Sequence, residues 1–326
     1  MSKDRILWFD FLRGVAILMV VCIHTFASTV QQGPLADDIT VLLRQVLNCA
    51  VPLFLAISGY FMAKKQVGHS YVQFWKHQIP KVYVPTLIWS LPYLALYIWQ
   101  GHDWLKGIVI FIVCGFSVYY FIALIIQYYI LLPLLQNIKQ GGVIFAFIIT
   151  MIAIGWVSYL DLIEGYAMNS IVKGGPFPVW LVFFVVGIYL GRVKVRTYHL
   201  WPWLLLLIIG LVLSFFETKW VYPFHHIGYG IKPSSHLYSL AVIMLLFSQK
   251  VQTFFTSDNW LFKAFTRLGR ISFGVYLIHC FFIMLISHFV HLNWMLLTVG
   301  TLLLTVVFIH VTQWMVPGIA RKIGFY

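Results

Sequence analysis

The sequence predicts an all-α integral membrane protein, a bundle of about ten transmembrane helices that forms a single domain over residues 1–326. The first observation is composition, since 61% of the residues are hydrophobic and only 10% are charged. A soluble domain carries about 25% charged residues because its surface faces water. The second observation is that long apolar runs recur along the chain, each suited to cross a hydrocarbon layer of about 30 Å.

Short polar connections separate the predicted spans. The first span begins at Ile6 and continues past the length of a signal-peptide core, so we interpret it as the first helix. The ten predicted spans are 6–27, 41–62, 82–100, 117–135, 142–160, 176–192, 199–217, 235–250, 271–291 and 293–316. The sixth and eighth are short, and 107–115 is a further interfacial or re-entrant candidate, so nine or eleven spans stay open.

Loop charges set the predicted orientation. With the N-terminus inside, sixteen of the 22 Lys and Arg residues fall in cytoplasmic loops. Only Lys106, Lys173, Lys219 and Lys232 fall outside. This bias predicts cytoplasmic termini, with membrane lipids as partners, and membrane orientation explains the net charge of +13 without a nucleic-acid partner. The four cysteines show no CxxC spacing, so neither a disulfide framework nor a metal site is predicted.

The first span contains three ionisable side chains, which are costly inside a bilayer. Asp10 lies one helical turn before Arg13 and is positioned to pair with it. Arg13 and His24 are eleven residues apart, on nearly the same face and about 16 Å apart along the axis. Two interpretations stay open at this point. The group either lines a hydrated or ligand-filled passage, or consists of a structural ion pair and an interfacial histidine.

The ninth span places Ser272, Tyr276 and His279 on one helical face. We expect His279 to lie at about the depth of Arg13, so that the two faces form a polar column with His24 at its outer mouth. Hydrogen bonding between helices is the alternative for Ser272 and Tyr276. Arg44, near the outer end of the second span, either reaches to the lipid headgroups or has a functional role.

Several segments resemble the acyltransferase 3 family of membrane O-acyltransferases, and together they cover most of the chain in the right order. FDFLRGVAILMVVCIH resembles the first helix of that family, with its Arg-x10-His spacing. The other similar segments are VPLFLAISGYFM, YYFIALIIQYYILLPLL, FFVVGIYLGR and LGRISFGVYLIH. The resemblance implies a stand-alone enzyme of the bacterial cytoplasmic (inner) membrane, one that moves an acyl group, commonly acetyl from acetyl-CoA, onto a cell-envelope glycan or a lipid-linked sugar.

The resemblance also implies roles for particular residues. Arg13 and His24 match the family's essential pair, and His24 is the expected base because an imidazole exchanges protons near neutral pH. Arg13, fixed by Asp10, is expected to shape a channel for the pantetheine arm of the donor. Tyr276 and His279 are expected to relay protons or to orient the thioester. The expected donor-binding residues are Ser272 and a basic ring for the CoA phosphates, formed by Lys64, Lys65, Lys76, Lys81, Arg267 and Arg270.

The sequence departs from the family pattern at two places. Lys81 stands where many members have one arginine of an Arg-x-x-Arg motif, and Asn48 stands where many have an arginine before the proline of the second span. A transporter or flippase of a small polar solute is the competing function class, because a polar column is also a permeation path. The acceptor, the acyl chain, direct transfer against a covalent intermediate, and the oligomeric state all stay open.

Overall fold

The computed structural model describes residues 7–29, 38–65, 70–162, 170–193, 196–225, 230–255 and 259–326, and every regular element in these ranges is helical, as predicted. The helices of the first half are α1 (Leu7–Thr29), α2 (Asp38–Leu47), α3 (Ala50–Lys64), α4 (Tyr71–Trp99), α5 (Trp104–Ile112), α6 (Tyr120–Leu135) and α7 (Gln140–Leu162). Those of the second half are α8 (Ser170–Gly174), a 3-10 turn (Phe177–Trp180), α9 (Leu181–Arg192), α10 (Trp201–His225), α11 (Pro233–Phe247), α12 (Gln249–Phe255), α13 (Trp260–Arg270), α14 (Ser272–Phe289), α15 (Trp294–Met315) and α16 (Pro317–Lys322).

Seven stretches among the described residues are long and apolar enough to cross a membrane, judged by length and composition. They are Leu7–Thr29, Asp38–Lys64, Tyr71–Trp99, Gln140–Leu160, Trp201–Trp220, Ser272–Phe289 and Trp294–Met315. Three shorter apolar helices lie where the fourth, sixth and eighth spans are predicted, namely Tyr120–Leu135, Phe177–Arg192 and Pro233–Phe247. The fourth is shorter than predicted because Cys114 and Ser117 adopt positive φ angles of 55° and 51°, which interrupts the helix before Tyr120.

The second predicted span is broken into two helices. A turn at Asn48 and Cys49 separates α2 from α3, and Pro52 follows in the first turn of α3. Proline has no backbone N–H, and its ring clashes with the carbonyl four residues earlier, here that of Asn48, so a continuous helix is disfavoured at this point. The break allows α2 to present its side chains in a direction that one straight helix would not.

The tightest helix contacts depend on glycines. A Cβ atom at Gly59 in α3 would lie 2.1 Å from the backbone oxygen of Phe184, and one at Gly187 in α9 would lie 2.1 Å from that of Ala56. Small residues at such crossings let two backbones approach closely within a membrane. The helices α3 and α9 are therefore closely packed, and the buried side chains of both belong to the larger apolar core.

Helix α13 crosses α1 in the same way. A Cβ at Gly14 would lie 1.9 Å from the backbone oxygen of Phe265, and one at Gly269 would lie 1.8 Å from that of Asp10. The sequence predicts a cytoplasmic loop here, whereas the structure shows an amphipathic helix with Thr266 and Gly269 buried. Besides α13, α1 packs on α3, α14 and α15, so it lies in the middle of the bundle.

Candidate active site

A cavity of about 690 Å³ follows α1 through the bundle. Its walls come mainly from α1, α3, α6 and α14, and Arg13 and His24 both line it. These two side chains are about 16 Å apart along the helix. Of the two interpretations left open by the sequence, the geometry therefore agrees with a shared passage, and neither residue is turned outward toward lipid.

At the Arg13 end, Asp10 holds two guanidinium groups. The Nη1 atom of Arg13 lies 3.2 Å from Oδ1 of Asp10, which confirms the predicted ion pair. The Nε atom of Arg270 lies 3.9 Å from Oδ2, an interaction that the sequence did not reveal because it depends on how α13 crosses α1. Asp10 is 2% exposed and is not among the described residues that line the cavity, whereas Arg13 and Arg270 line it. Asp10 therefore positions the two cations.

At the other end, two imidazole rings lie side by side. The ring centroids of His24 and His279 are 5.3 Å apart, with 45° between the planes. The Nδ1 atom of His279 lies 3.0 Å and 2.8 Å from the backbone oxygens of Val275 and Tyr276. Because a carbonyl oxygen only accepts, Nδ1 must carry the proton, and Nε2 is left as an acceptor, 3.4 Å from Sγ of Cys280.

The predicted depth of His279 is wrong. The sequence predicts that this residue lies level with Arg13, whereas its ring contacts that of His24. The reason is that α13 leads through Ile271 directly into α14, and Arg270 lies beside Asp10, so α14 begins near the depth of Arg13. His279 follows nine residues later, which is more than 10 Å along a helix. It is fully buried and is not among the described residues that line the cavity.

Two other side chains of α14 do line the cavity. Tyr276 presents its ring there, while its hydroxyl donates a hydrogen bond of 2.6 Å to the backbone oxygen of Val118. Ser272 is buried and lines the cavity one turn earlier in the helix. The predicted common face of Ser272 and Tyr276 thus points into the passage.

Of the predicted basic ring, only Arg270 is among the described residues that line the cavity. Lys64 donates to the Tyr60 hydroxyl at 2.7 Å, Lys65 lies over the ring of Phe74, and Nζ of Lys81 is 2.9 Å from Nε2 of His77. All members of the ring except Lys65 are exposed. The role of these side chains in holding CoA phosphates stays a prediction, because a nucleotide at the mouth of the passage would lie outside the cavity.

Further residues near His24 come from α2 and the turn that follows it, and the sequence left the role of Arg44 open. Arg44 is 8% exposed and lines the cavity, so it does not extend to the lipid headgroups. Its guanidinium donates to Oδ1 of Asn48, and Nδ2 of Asn48 lies 3.0 Å from both Oε1 of Gln45 and Oγ of Ser235. Pro52 was the signal available in the sequence. A proline favours a break in the helix at this point, and the break reorients α2 relative to α3.

Lys232 supports this network from the loop before α11. Its Nζ donates to Oε1 of Gln45 at 2.9 Å and to the backbone oxygen of Ser214 at 2.7 Å. Burial lowers the pKa of Lys232 to about 7. The negative charge of Glu217 opposes this shift, and the Arg44 guanidinium contributes to it.

A bundle of apolar helices around a cavity lined by guanidinium and imidazole groups defines a multi-pass membrane protein with an internal polar cavity. The family model described as an acyltransferase domain matches residues 6–314, and the chain belongs to this acyltransferase 3 family. The chain is also similar to the nodulation protein NolL of Mesorhizobium japonicum, with 29% identity over 88 residues. That alignment covers 27% of this chain and 24% of the relative. No solved structure matches the chain.

Proposed function

We propose that this multi-pass membrane acyltransferase moves an acyl group, most simply acetyl, from acyl-CoA at the cytoplasmic face to a hydroxyl of a cell-envelope glycan or lipid-linked sugar outside. The observation that carries the proposal is that Arg13 and His24 line one cavity. Such a reaction needs a path between a donor on one side and an acceptor on the other. A single cavity that reaches both residues supports such a path.

The topology belongs to the same proposal. We infer ten spans in the bacterial inner membrane, with both termini cytoplasmic. The seven long helices and the three shorter apolar helices occupy the predicted places, which supports this number. The charge bias between loops supports the orientation. Under this orientation Arg13 lies toward the cytoplasmic side and His24 toward the outer side.

The chemistry assigned to His24 is general-base catalysis. Its imidazole accepts the proton of the acceptor hydroxyl while the oxygen attacks the thioester carbonyl carbon, so a C–O bond forms. The C–S bond then breaks, and the CoA sulfur leaves and takes the proton back from His24. Negative charge builds up on the carbonyl oxygen between these steps. The described lining of the cavity contains arginines and a lysine but no Asp or Glu, and this positive field favours that charge.

The donor is assigned to the Arg13 end. Arg13 and Arg270 both face the cavity, and Asp10 fixes their positions. Guanidinium groups bind phosphate and polarised carbonyl oxygens well. We therefore infer that the pantetheine arm enters past these two residues, with Ser272 beside them. The nucleotide stays at the cytoplasmic mouth near the predicted basic ring.

The test measures acetate ester on envelope glycans of cells that carry or lack the gene. His24→Ala and Arg13→Ala should each abolish the gene-dependent ester while the protein still accumulates in the membrane. His288→Ala, an exposed histidine on the same helix as His279, is the matched control and should acetylate normally. A normal ester content in His24→Ala would eliminate this residue as the base. Gene-dependent solute movement without any ester would replace the proposed function by transport.

A further inference from the structure

The cavity has its mouth at the Arg13 end. Of the described residues that line it, only Arg270 and Tyr326 are exposed, the Arg270 side chain at 46% and Tyr326 at 57%. The other described lining residues, His24 among them, are buried or half-buried. Arg270 lies beside Asp10 and therefore marks the depth of Arg13. Under the proposed orientation, this exposed pair marks the opening through which a cytoplasmic donor enters.

Tyr326 reaches the mouth because the segment that follows α16 packs back against the bundle. Phe325 is 1% exposed, and its ring stacks on that of Trp89, with the centroids 5.6 Å apart and 23° between the planes. The Nε1 atom of Trp89 also donates a hydrogen bond of 3.0 Å to the backbone oxygen of Ile323. Buried contacts thus fix the backbone that carries Tyr326.

Gly324 turns this backbone toward α14. Its φ angle is 89°, in the left-handed region that glycine adopts without a steric penalty. A Cβ at this position would lie 2.7 Å from the side chain of Leu277 and 3.0 Å from the ring of Phe273. The ring centroids of Tyr326 and Phe273 are 6.1 Å apart, and both residues line the cavity. Tyr326 is therefore held in the wall of the mouth and still remains exposed.

A guanidinium and an exposed aromatic ring at one opening match the two parts of a nucleotide. Arginine binds phosphate oxygens through charge-assisted hydrogen bonds, which suits Arg270 to the phosphates of CoA. An aromatic side chain forms a stacking platform for the flat face of a base, which suits Tyr326 to the adenine. The pantetheine arm carries neither an aromatic ring nor a diphosphate. The composition of the mouth therefore fits the nucleotide part of the donor better than its arm.

We propose that the ring of Tyr326 stacks on the adenine of the acyl donor and holds the nucleotide at the mouth, while the pantetheine arm extends past Arg270 and Arg13 into the cavity. The inference rests on the proposed function and adds to it a donor-binding residue that the sequence did not single out. Because the adenine and the acyl group lie at opposite ends of the donor, this contact serves any acyl-CoA, whatever its acyl chain.

The test is isothermal titration calorimetry of the purified full chain in detergent micelles, with CoA and pantetheine as the two probes. Pantetheine lacks the nucleotide, and neither probe carries an acyl group, so the measurement needs no acceptor. Tyr326→Ala should raise the Kd of CoA at least about fivefold, the loss expected when the partner of a stacked base is removed, and leave the Kd of pantetheine within about twofold. Tyr326→Phe keeps the ring and should bind CoA as the unmodified protein does.

Tyr159→Ala is the matched control, because Tyr159 is an exposed tyrosine of α7 that is not among the described lining residues. It should leave the affinity for both probes unchanged. An unchanged affinity for CoA in Tyr326→Ala, or an equal loss for CoA and pantetheine, would overturn the inference and leave the proposed function standing. A loss in Tyr326→Phe as large as that in Tyr326→Ala would contradict stacking. If the unmodified protein bound neither probe, the proposed donor would be eliminated, and this inference with it.

Discussion

Substituting Gly269 by alanine tests whether the crossing of α13 over α1 holds the donor end together. The added Cβ would lie 1.8 Å from the backbone oxygen of Asp10 and 2.9 Å from the backbone nitrogen of Gly14. Non-bonded heavy atoms settle at roughly 3.5 Å, so the two backbones would have to separate by roughly 1.5 Å. Neither contact atom belongs to a flexible side chain, and the strain therefore cannot be relieved by a rotamer change.

The expected effect is both energetic and functional. Forcing an extra methyl group into a packed interface costs about 1–3 kcal/mol. The Arg270 Nε to Asp10 Oδ2 distance is already 3.9 Å, so a comparable separation would remove that ion pair. Arg270 would then leave the cavity wall, and we expect gene-dependent acetylation to fall even where the variant still folds.

Gly155→Ala supplies the matched control. Gly155 lies exposed within α7, and nothing approaches its Cβ position within 4 Å. Alanine is the better helix former by about 1 kcal/mol, so this variant should be neutral or slightly stabilised. Thermal unfolding of purified protein in detergent, together with ester content per protein in cells, measures both effects. If Gly269→Ala unfolded no earlier than Gly155→Ala and acetylated normally, the inferred packing of α1 on α13 would be refuted.

Two further variants separate positioning from chemistry. Asp10→Asn keeps the side-chain size but removes the anion shared by Arg13 and Arg270. It should lower the free energy of unfolding by about 2 kcal/mol and nearly abolish the gene-dependent ester. Normal acetylation in this variant would contradict a positioning role for Asp10. Tyr276→Phe should cost about 1 kcal/mol of stability yet keep ester formation within about twofold, because the hydroxyl is already bonded to Val118. A tenfold loss of acetylation in the phenylalanine variant would show that this hydroxyl takes part in the reaction.

The features predicted correctly from the sequence are local ones. Each predicted span contains a helix, because apolar runs of this length have few other ways to satisfy their backbone in a membrane. The Asp10–Arg13 pair followed from a spacing of three residues within one helix. In the same way, the common face of Ser272 and Tyr276 followed from a spacing of four. None of these inferences requires knowing which helices are neighbours.

The features that were missed depend on contacts between distant parts of the chain. Arg270 was assigned to a basic ring at the mouth, but its pairing with Asp10 requires the glycine crossing of α13 on α1. His279 was predicted at the depth of Arg13, but its ring lies beside that of His24. The crossing of α13 on α1 sets the level at which α14 starts, and the sequence does not show that crossing. Lys173 was predicted only to lie in an outer loop, because nothing in its local sequence shows that α8 packs beside Tyr120. A spacing rule gives the face of a helix, but it does not give the partner of that face or its depth.

The departure from the family pattern at Asn48 has a geometric explanation. Here the turn at Asn48 and Cys49 ends α2, and Arg44 donates to the amide oxygen of Asn48 from one turn earlier while it lines the cavity. Asn48 is held in turn by the buried Gln45, whose Oε1 accepts a hydrogen bond from Nδ2 of Asn48. The structure therefore places a buried guanidinium in the cavity from one helical turn before Asn48, at a position that the spacing within the second predicted span did not reveal.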